Sequence, residues 1–151
     1  MLEVQKLAPE VKPLPATRKN FVAPRSSGRS LVVVAGRHPD TRFMLRSLLE
    51  LWNYDVAEAT GPEESVRIAE ADHPAAVLID GYLPMADCLA EVERLKQSAS
   101  MNGVPVVVLS GFSKERVGPG LAKSGADGLM TKPLDFDALE RLLRYFSNGG
   151  F

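Results

Sequence analysis

Three polar side chains close three apolar runs. Asp80 follows Ala75-Ala76-Val77-Leu78-Ile79, Ser110 follows Val104-Pro105-Val106-Val107-Val108-Leu109, and Lys132 follows Gly128-Leu129-Met130-Thr131. An acid, a hydroxyl and an ammonium brought to one place suit a particular chemistry. A carboxylate set against an apolar run is partly desolvated and needs a compensating charge, which Lys132 supplies. A carboxylate also acts as a nucleophile toward phosphorus. The acyl phosphate formed in this way gains negative charge and acceptor oxygens, and an ammonium and a hydroxyl can hold those oxygens. The first apolar run, Leu31–Ala35, is followed by Gly36-Arg37-His38 instead of an acid.

Convergence of the three groups requires their runs to be neighbouring strands of one sheet. Leu31–Ala35, Ala75–Ile79 and Val104–Leu109 are β-branched and apolar throughout, as strands buried on both faces are. Helical stretches alternate with them. Pro39-Asp40 opens one, with Phe43, Met44, Leu45, Leu48, Leu49 and Trp52 on a broad stripe. Tyr54–Ala59 reads as a short strand. Thr60-Gly61-Pro62-Glu63 reads as a capping box that starts a helix running to Ala71. Leu89–Ser98 reads as an amphipathic helix. Glu115–Lys123 is a weak one, interrupted by Gly118-Pro119-Gly120. Gly128–Thr131 is a short strand, and Asp135 caps a last helix with Phe136, Leu139, Leu142, Leu143 and Phe146 inward. Five strand–helix units predict an α/β fold, a doubly wound five-stranded parallel sheet with helices on both faces. Sites in such sheets form outside the carboxyl ends of the strands, where Asp80, Ser110 and Lys132 fall.

At these residues the chain resembles the receiver domains of two-component response regulators. Ala75–Cys88 (AAVLIDGYLPMADC) is similar to the family's central segment, with an aspartate ending a buried strand ahead of a Pro-x-Met loop. Val104–Ser110 (VPVVVLS) and Gly125–Pro133 (GADGLMTKP) resemble its next two signature segments, and the likeness runs from about Ser30 to Phe146. The resemblance implies a flavodoxin-like (βα)5 fold with strand order 2-1-3-4-5. It implies Asp80 as the phosphoacceptor, Ser110 as the hydroxyl that contacts the phosphoryl group, and Lys132 as the lysine that pairs with its oxygens. Lys132-Pro133 matches a bond that is usually cis in the family. A histidine kinase or phosphotransfer protein is the implied phosphoryl donor, with a downstream protein partner that the sequence does not name. The resemblance also leaves room for a homodimer through the last helix face.

The departures from the family pattern bear on function. Its first strand normally ends in two adjacent acids that hold Mg²⁺ together with the acceptor aspartate. Here that pair is Gly36-Arg37, so weakened or absent Mg²⁺ binding at Asp80 is the expectation. Arg37 would form a bidentate ion pair with Asp80, or clamp a phosphoryl group in place of the metal. Leu129 replaces the aromatic residue that commonly rotates inward when the Ser/Thr moves. Three readings follow. One is an atypical receiver that accepts a phosphoryl group on Asp80 with weakened or absent Mg²⁺ dependence. Another is a phosphorylation-independent pseudo-receiver acting as a protein–protein interaction module. The third is a small flavodoxin-like enzyme or nucleotide-binding domain. No G-x-G-x-x-G, phosphate-loop motif or nucleophile–base pair supports the third.

Composition agrees with one domain. The chain has 151 residues, 45% of them hydrophobic and 25% charged, with one cysteine and a net charge of −1. A single cysteine excludes an internal disulfide, and with two histidines it excludes a Cys/His zinc site. The longest apolar runs are far too short to cross a membrane, and no signal-peptide-like run begins the chain. A cytoplasmic protein is expected, with neither a membrane nor a nucleic acid as partner. Residues 1–29 carry six basic and two acidic residues, a charge of +4, and four of the eleven prolines. They read as a basic, Pro-containing tail or linker. The domain is expected over 30–147, carrying most of the acids, with 148–151 as a C-terminal tail.

Overall fold

The computed structural model describes residues 28–82 and 84–149. Residues 1–27 of the expected N-terminal tail and 150–151 of the expected C-terminal tail lie outside the described residues. Five strands, β1 (Leu31–Ala35), β2 (Asp55–Ala59), β3 (Ala76–Asp80), β4 (Val106–Ser110) and β5 (Gly128–Thr131), form one parallel sheet in the order β2-β1-β3-β4-β5. This is the flavodoxin-like order expected from the sequence. The three central strands are buried at every position. Apolar runs therefore end up in the middle of the sheet, with Asp80 and Ser110 at their carboxyl ends, while β2 and β5, at the edges, are mostly half-buried.

Alternate side chains of each strand enter opposite layers. Val33, Ala35, Val77, Ile79, Val106 and Val108 pack with Ile68 of α2 (Pro62–Ala71) and with Leu89, Val92 and Leu95 of α3 (Met85–Gln97). Val32, Val34, Leu78, Val107 and Leu109 pack with Leu45 and Leu49 of α1 (Pro39–Leu51) and with Leu139, Leu143 and Phe146 of α6 (Phe136–Ser147). The weak fourth helix splits in two, α4 (Lys114–Val117) and α5 (Gly120–Ser124). Gly118 separates them at φ 79°, a backbone that favours glycine. Asp135 caps α6 as expected, accepting from Ala138 N at 3.0 Å.

Several local expectations are corrected. α3 starts one turn before Leu89, because the stretch from Met85 carries on into the same buried stripe through Cys88. A short 3-10 turn, Ala99–Met101, follows it. Thr60 and Glu63 do not form the capping box. The N-cap is Gly61, and the carboxylate of Glu64 accepts from Thr60 N and Oγ1 at 2.6 and 2.8 Å. Phe43 and Met44 are exposed, since a helix lying on a sheet buries only the stripe through Leu45 and Leu49, and Phe43 stands more than half a turn away. Phe136 is also exposed, at the first turn of α6.

Candidate functional site

Parallel pairing places the ends of β1, β3, β4 and β5 along one edge. Ala35 pairs with Ile79, Asp80 with Leu109, and Ser110 with Thr131. Gly36 therefore comes level with Asp80, and Lys132 lies one residue past the level of Ser110. Gly81 N donates to Leu109 O and Lys132 N to Ser110 O, both at 2.7 Å, which extends the ladder past the strand ends.

Asp80 is the centre of this edge. Its side chain is only 4% exposed, and its Oδ1 accepts from the Nζ of Lys132. The Lys132–Pro133 peptide is cis. On the other side Gly36 leaves almost no gap: a Cβ built on it would stand 2.9 Å from Asp80 Cβ and 3.6 Å from Oδ2. Gly36 is held in this place from two further sides. Its N–H donates to Ala59 O at 2.9 Å, and its carbonyl accepts from Arg42 Nη1 at 2.6 Å. Arg42 is fixed in turn by Glu58 of β2, whose carboxylate also accepts from Arg46 at 3.2 Å. Glycine, two arginines and a strand glutamate thus lock the end of β1 against Asp80.

The other residues singled out from the sequence are placed differently. Ser110 is fully buried, but its hydroxyl serves a local turn, donating to Phe112 O at 3.0 Å and accepting from Phe112 N at 2.8 Å. The ion pair expected between Arg37 and Asp80 is not formed. The guanidinium of Arg37 lies over the ring of Tyr82, 3.7 Å from its centroid, a favourable cation–π distance. The charge beside Asp80 comes from Lys132, whose chain position just past β5 already brings its ammonium there. Leu129 is half-buried on β5 and packs against the α2–α3 layer. Cys88 is buried at the second turn of α3; burial pushes its thiol up to about 11, with Arg37 opposing and Asp80 reinforcing the rise. Among the described residues no three His, Cys, Asp or Glu side chains are grouped where they could hold a metal ion.

Sequence reasoning missed Tyr82 and Arg42. Tyr82 carried no signal, being one aromatic residue in a loop. Arg42 and Arg46, four residues apart on a helix, do signal a basic face, but only the pairing of β1 with β2 shows that Glu58 is its partner.

Comparison with known proteins follows the same lines. The family model described as the response regulator receiver domain matches residues 32–144. An uncharacterized 14.6 kDa protein of Leptolyngbya boryana is 26% identical over 115 residues, covering 76% of this chain and 88% of that one. Among solved structures, the receiver domain of a signal transduction histidine kinase from Syntrophus aciditrophicus superposes with a TM-score of 0.68 at 23% identity, over 80% of this chain and 91% of the other. The receiver domain of a sensor histidine kinase from Pseudomonas aeruginosa PAO1, which has a magnesium ion coordinated in its active-site cleft, gives a TM-score of 0.66 at 20% identity, over 80% of this chain and 99% of the other.

Proposed function

Since the chain belongs to the response regulator receiver domain family by its match over residues 32–144, we propose that it is an atypical receiver acting as a phosphorylation-independent protein–protein interaction module. Receiver domains are signalling domains of two-component systems, and they interact with histidine kinases or phosphotransfer proteins. The observation that carries the proposal is how Asp80 is engaged. One oxygen is engaged by Lys132, the side chain is 4% exposed, and Gly36 abuts the other flank. Phosphoryl transfer needs a carboxylate whose charge-stabilising partners are set around the reacting oxygen; here Lys132 is committed to Oδ1, the Ser110 hydroxyl is turned to Phe112, and no second carboxylate stands at the end of β1.

The donor set does not fit Mg²⁺ either. Mg²⁺ takes a near-octahedral oxygen shell at short distance, normally with carboxylates. Asp80 is one carboxylate, bound to an ammonium, beside a glycine and a guanidinium. Leucine at 129 supplies volume on β5 without an aromatic ring to rotate. In this reading the Asp80–Lys132 pair is a structural tie between β3 and β5. Residues 30–147 form the module, 1–29 a tail or linker, and Tyr145, exposed on the last turns of α6, offers an apolar contact for a partner or a second copy. A Mg²⁺ titration followed at the amide signals of Gly36, Gly81 and Tyr82 tests it. Flat signals are expected, and saturable shifts confined to these amides overturn the metal part of the proposal.

One observation favours a second reading, phosphoryl acceptance on Asp80 with weakened or absent Mg²⁺ dependence. Lys132 already touches Asp80, and Ser110 stands at the neighbouring strand end. Phosphorylation would then proceed from the unbonded Oδ2, with Lys132 beside it to hold a phosphoryl oxygen and the Ser110 hydroxyl leaving Phe112 to contact another.

A further inference from the structure

The outer side of α1 carries an apolar stripe where a surface helix normally carries polar groups. Phe43 is 69% exposed and Leu51 78% exposed, and Met44 is exposed beside them. These are three of the five large apolar side chains exposed among the described residues, so such exposure is concentrated on one helix. Phe43, Ser47 and Leu51 are four residues apart and stack along one side of α1, with Met44 next to them. Ser47 adds little polarity, because its hydroxyl donates back to Phe43 O at 2.9 Å. Arg42 and Arg46 do not screen the stripe. Both turn to the β2 side, where they meet Glu58. The stripe runs along a 13-residue helix, a length of about 20 Å.

The chain itself brings a covering segment to this face. Ser30 O accepts from Asp55 N at 2.9 Å, and Tyr54 N donates to Leu49 O at 3.1 Å. The 29 residues before Ser30 therefore join the domain at the Leu51 end of the stripe. Phe21-Val22-Ala23 is the apolar cluster nearest that junction, and Phe21 stands nine residues before Ser30. Nine residues span at most about 30 Å, more than the length of α1, so Phe21 and Val22 can reach any part of the stripe. Charge favours the same contact. Residues 1–29 carry +4, whereas residues 30–151 carry −5, with 12 basic against 17 acidic side chains. Arg18 and Lys19 come just before Phe21. Asp40, one turn ahead of Phe43 and Met44, is exposed and makes no ion pair among the described residues.

We propose that the Phe21-Val22 segment docks on the Phe43, Met44 and Leu51 stripe of its own chain, with Arg18 and Lys19 toward Asp40, and so covers α1 against other partners. A short tether holds such a segment at an effective concentration of about millimolar. A contact too weak to join separate chains is then populated within one. The proposal is independent of whether Asp80 is phosphorylated.

The test is paramagnetic broadening in the full ¹⁵N-labelled chain, with a nitroxide attached through Asn20→Cys at neutral pH, where the buried Cys88 thiol stays protonated. Broadening is expected at the amides of Met44 and Ser47, remote from the junction at Ser30, and not at those of α2 and α3 in the opposite layer. It should be lost when Phe21→Ser and Val22→Ser are added, a change that keeps the length and charge of the tail. It should be lost equally with Phe43→Ser and Leu51→Ser, which alter only exposed side chains and leave the signals of β3 in place. A mixture of spin-labelled unenriched chain with unlabelled ¹⁵N chain is expected to show no broadening. Broadening of α1 in that mixture would assign the face to a second copy and overturn the proposal. So would unbroadened Met44 and Ser47 amides, broadening spread evenly over both helix layers, or broadening that persists in either variant.

Discussion

Gly36 and Asp80 stand in direct contact across the β1–β3 pairing, close enough that a Cβ on Gly36 would fall 2.9 Å from the Cβ of Asp80. The neighbour in the way is the root of a side chain fixed at a strand end, which cannot swing clear. Any side chain at 36 forces Asp80 or the strand end to move. Gly36→Ala and Gly36→Asp are therefore expected to destabilise the fold by about 1–3 kcal/mol through overpacking, read as a lower urea midpoint at unchanged m. The double change Gly36→Asp with Arg37→Asp restores the family's acids in sequence. It is expected not to restore tight Mg²⁺ binding, measured by calorimetric titration.

Lys132 and Asp80 form a pair in which the acid is buried and the ammonium is 38% exposed. Breaking it from the lysine side strands a buried carboxylate. Lys132→Met is expected to destabilise by about 2 kcal/mol, discounted for the exposure of the lysine end. Adding Asp80→Asn should recover much of that loss. A double-mutant cycle in urea gives the coupling directly, and additive effects would deny the pair its structural role.

Cys88 titrates in the folded chain near 11, raised from 9.0. A group whose pKa is raised on folding contributes stability that is fully present below the unfolded value and lost as pH climbs through the folded one. The Cys88 contribution is accordingly expected to fade between about pH 9 and pH 11. The Tm of the native chain should fall more steeply over that window than that of Cys88→Ala. At pH 8 the native thiol should resist alkylation that the urea-unfolded chain accepts.

Asp127 holds together elements far apart in the chain. Its Oδ2 accepts from Val106 N and from Lys96 Nζ, both at 2.8 Å, and Lys96 also donates to Val104 O at 3.0 Å. One carboxylate thus ties α3 and the start of β4 to the turn before β5. Asp127→Ala is expected to cost about 2 kcal/mol, in line with lost hydrogen bonds to a charged group, while Asp127→Asn should cost less because it keeps an acceptor.

What the sequence made legible depends on how far apart the interacting residues lie. The central strands were readable because Leu31–Ala35, Ala76–Ile79 and Val106–Leu109 are apolar without a break, and only a doubly covered parallel sheet buries such runs. The meeting of Asp80 and Lys132 followed from their places at the ends of β3 and β5. Arg37 was misplaced because a loop arginine has several targets within reach. Its choice of the Tyr82 ring over Asp80 depends on side-chain directions that spacing does not encode. The tightness of Gly36 was likewise invisible, since a glycine after a strand reads as a turn until the neighbouring strand is in place. The stripe on α1 was drawn too wide because periodicity gives a face, whereas burial depends on how squarely the helix sits on the sheet.

The central claim, that Asp80 serves as a structural partner of Lys132 and not as a phosphoacceptor, is tested most directly by intact mass. The full chain is incubated with a small-molecule phosphodonor across a range of Mg²⁺ concentrations, with Asp80→Asn alongside. The expected result is an unchanged mass for both proteins at every Mg²⁺ concentration. An adduct of one phosphate on the native chain, absent from Asp80→Asn, would contradict the claim and establish Asp80 as a working acceptor.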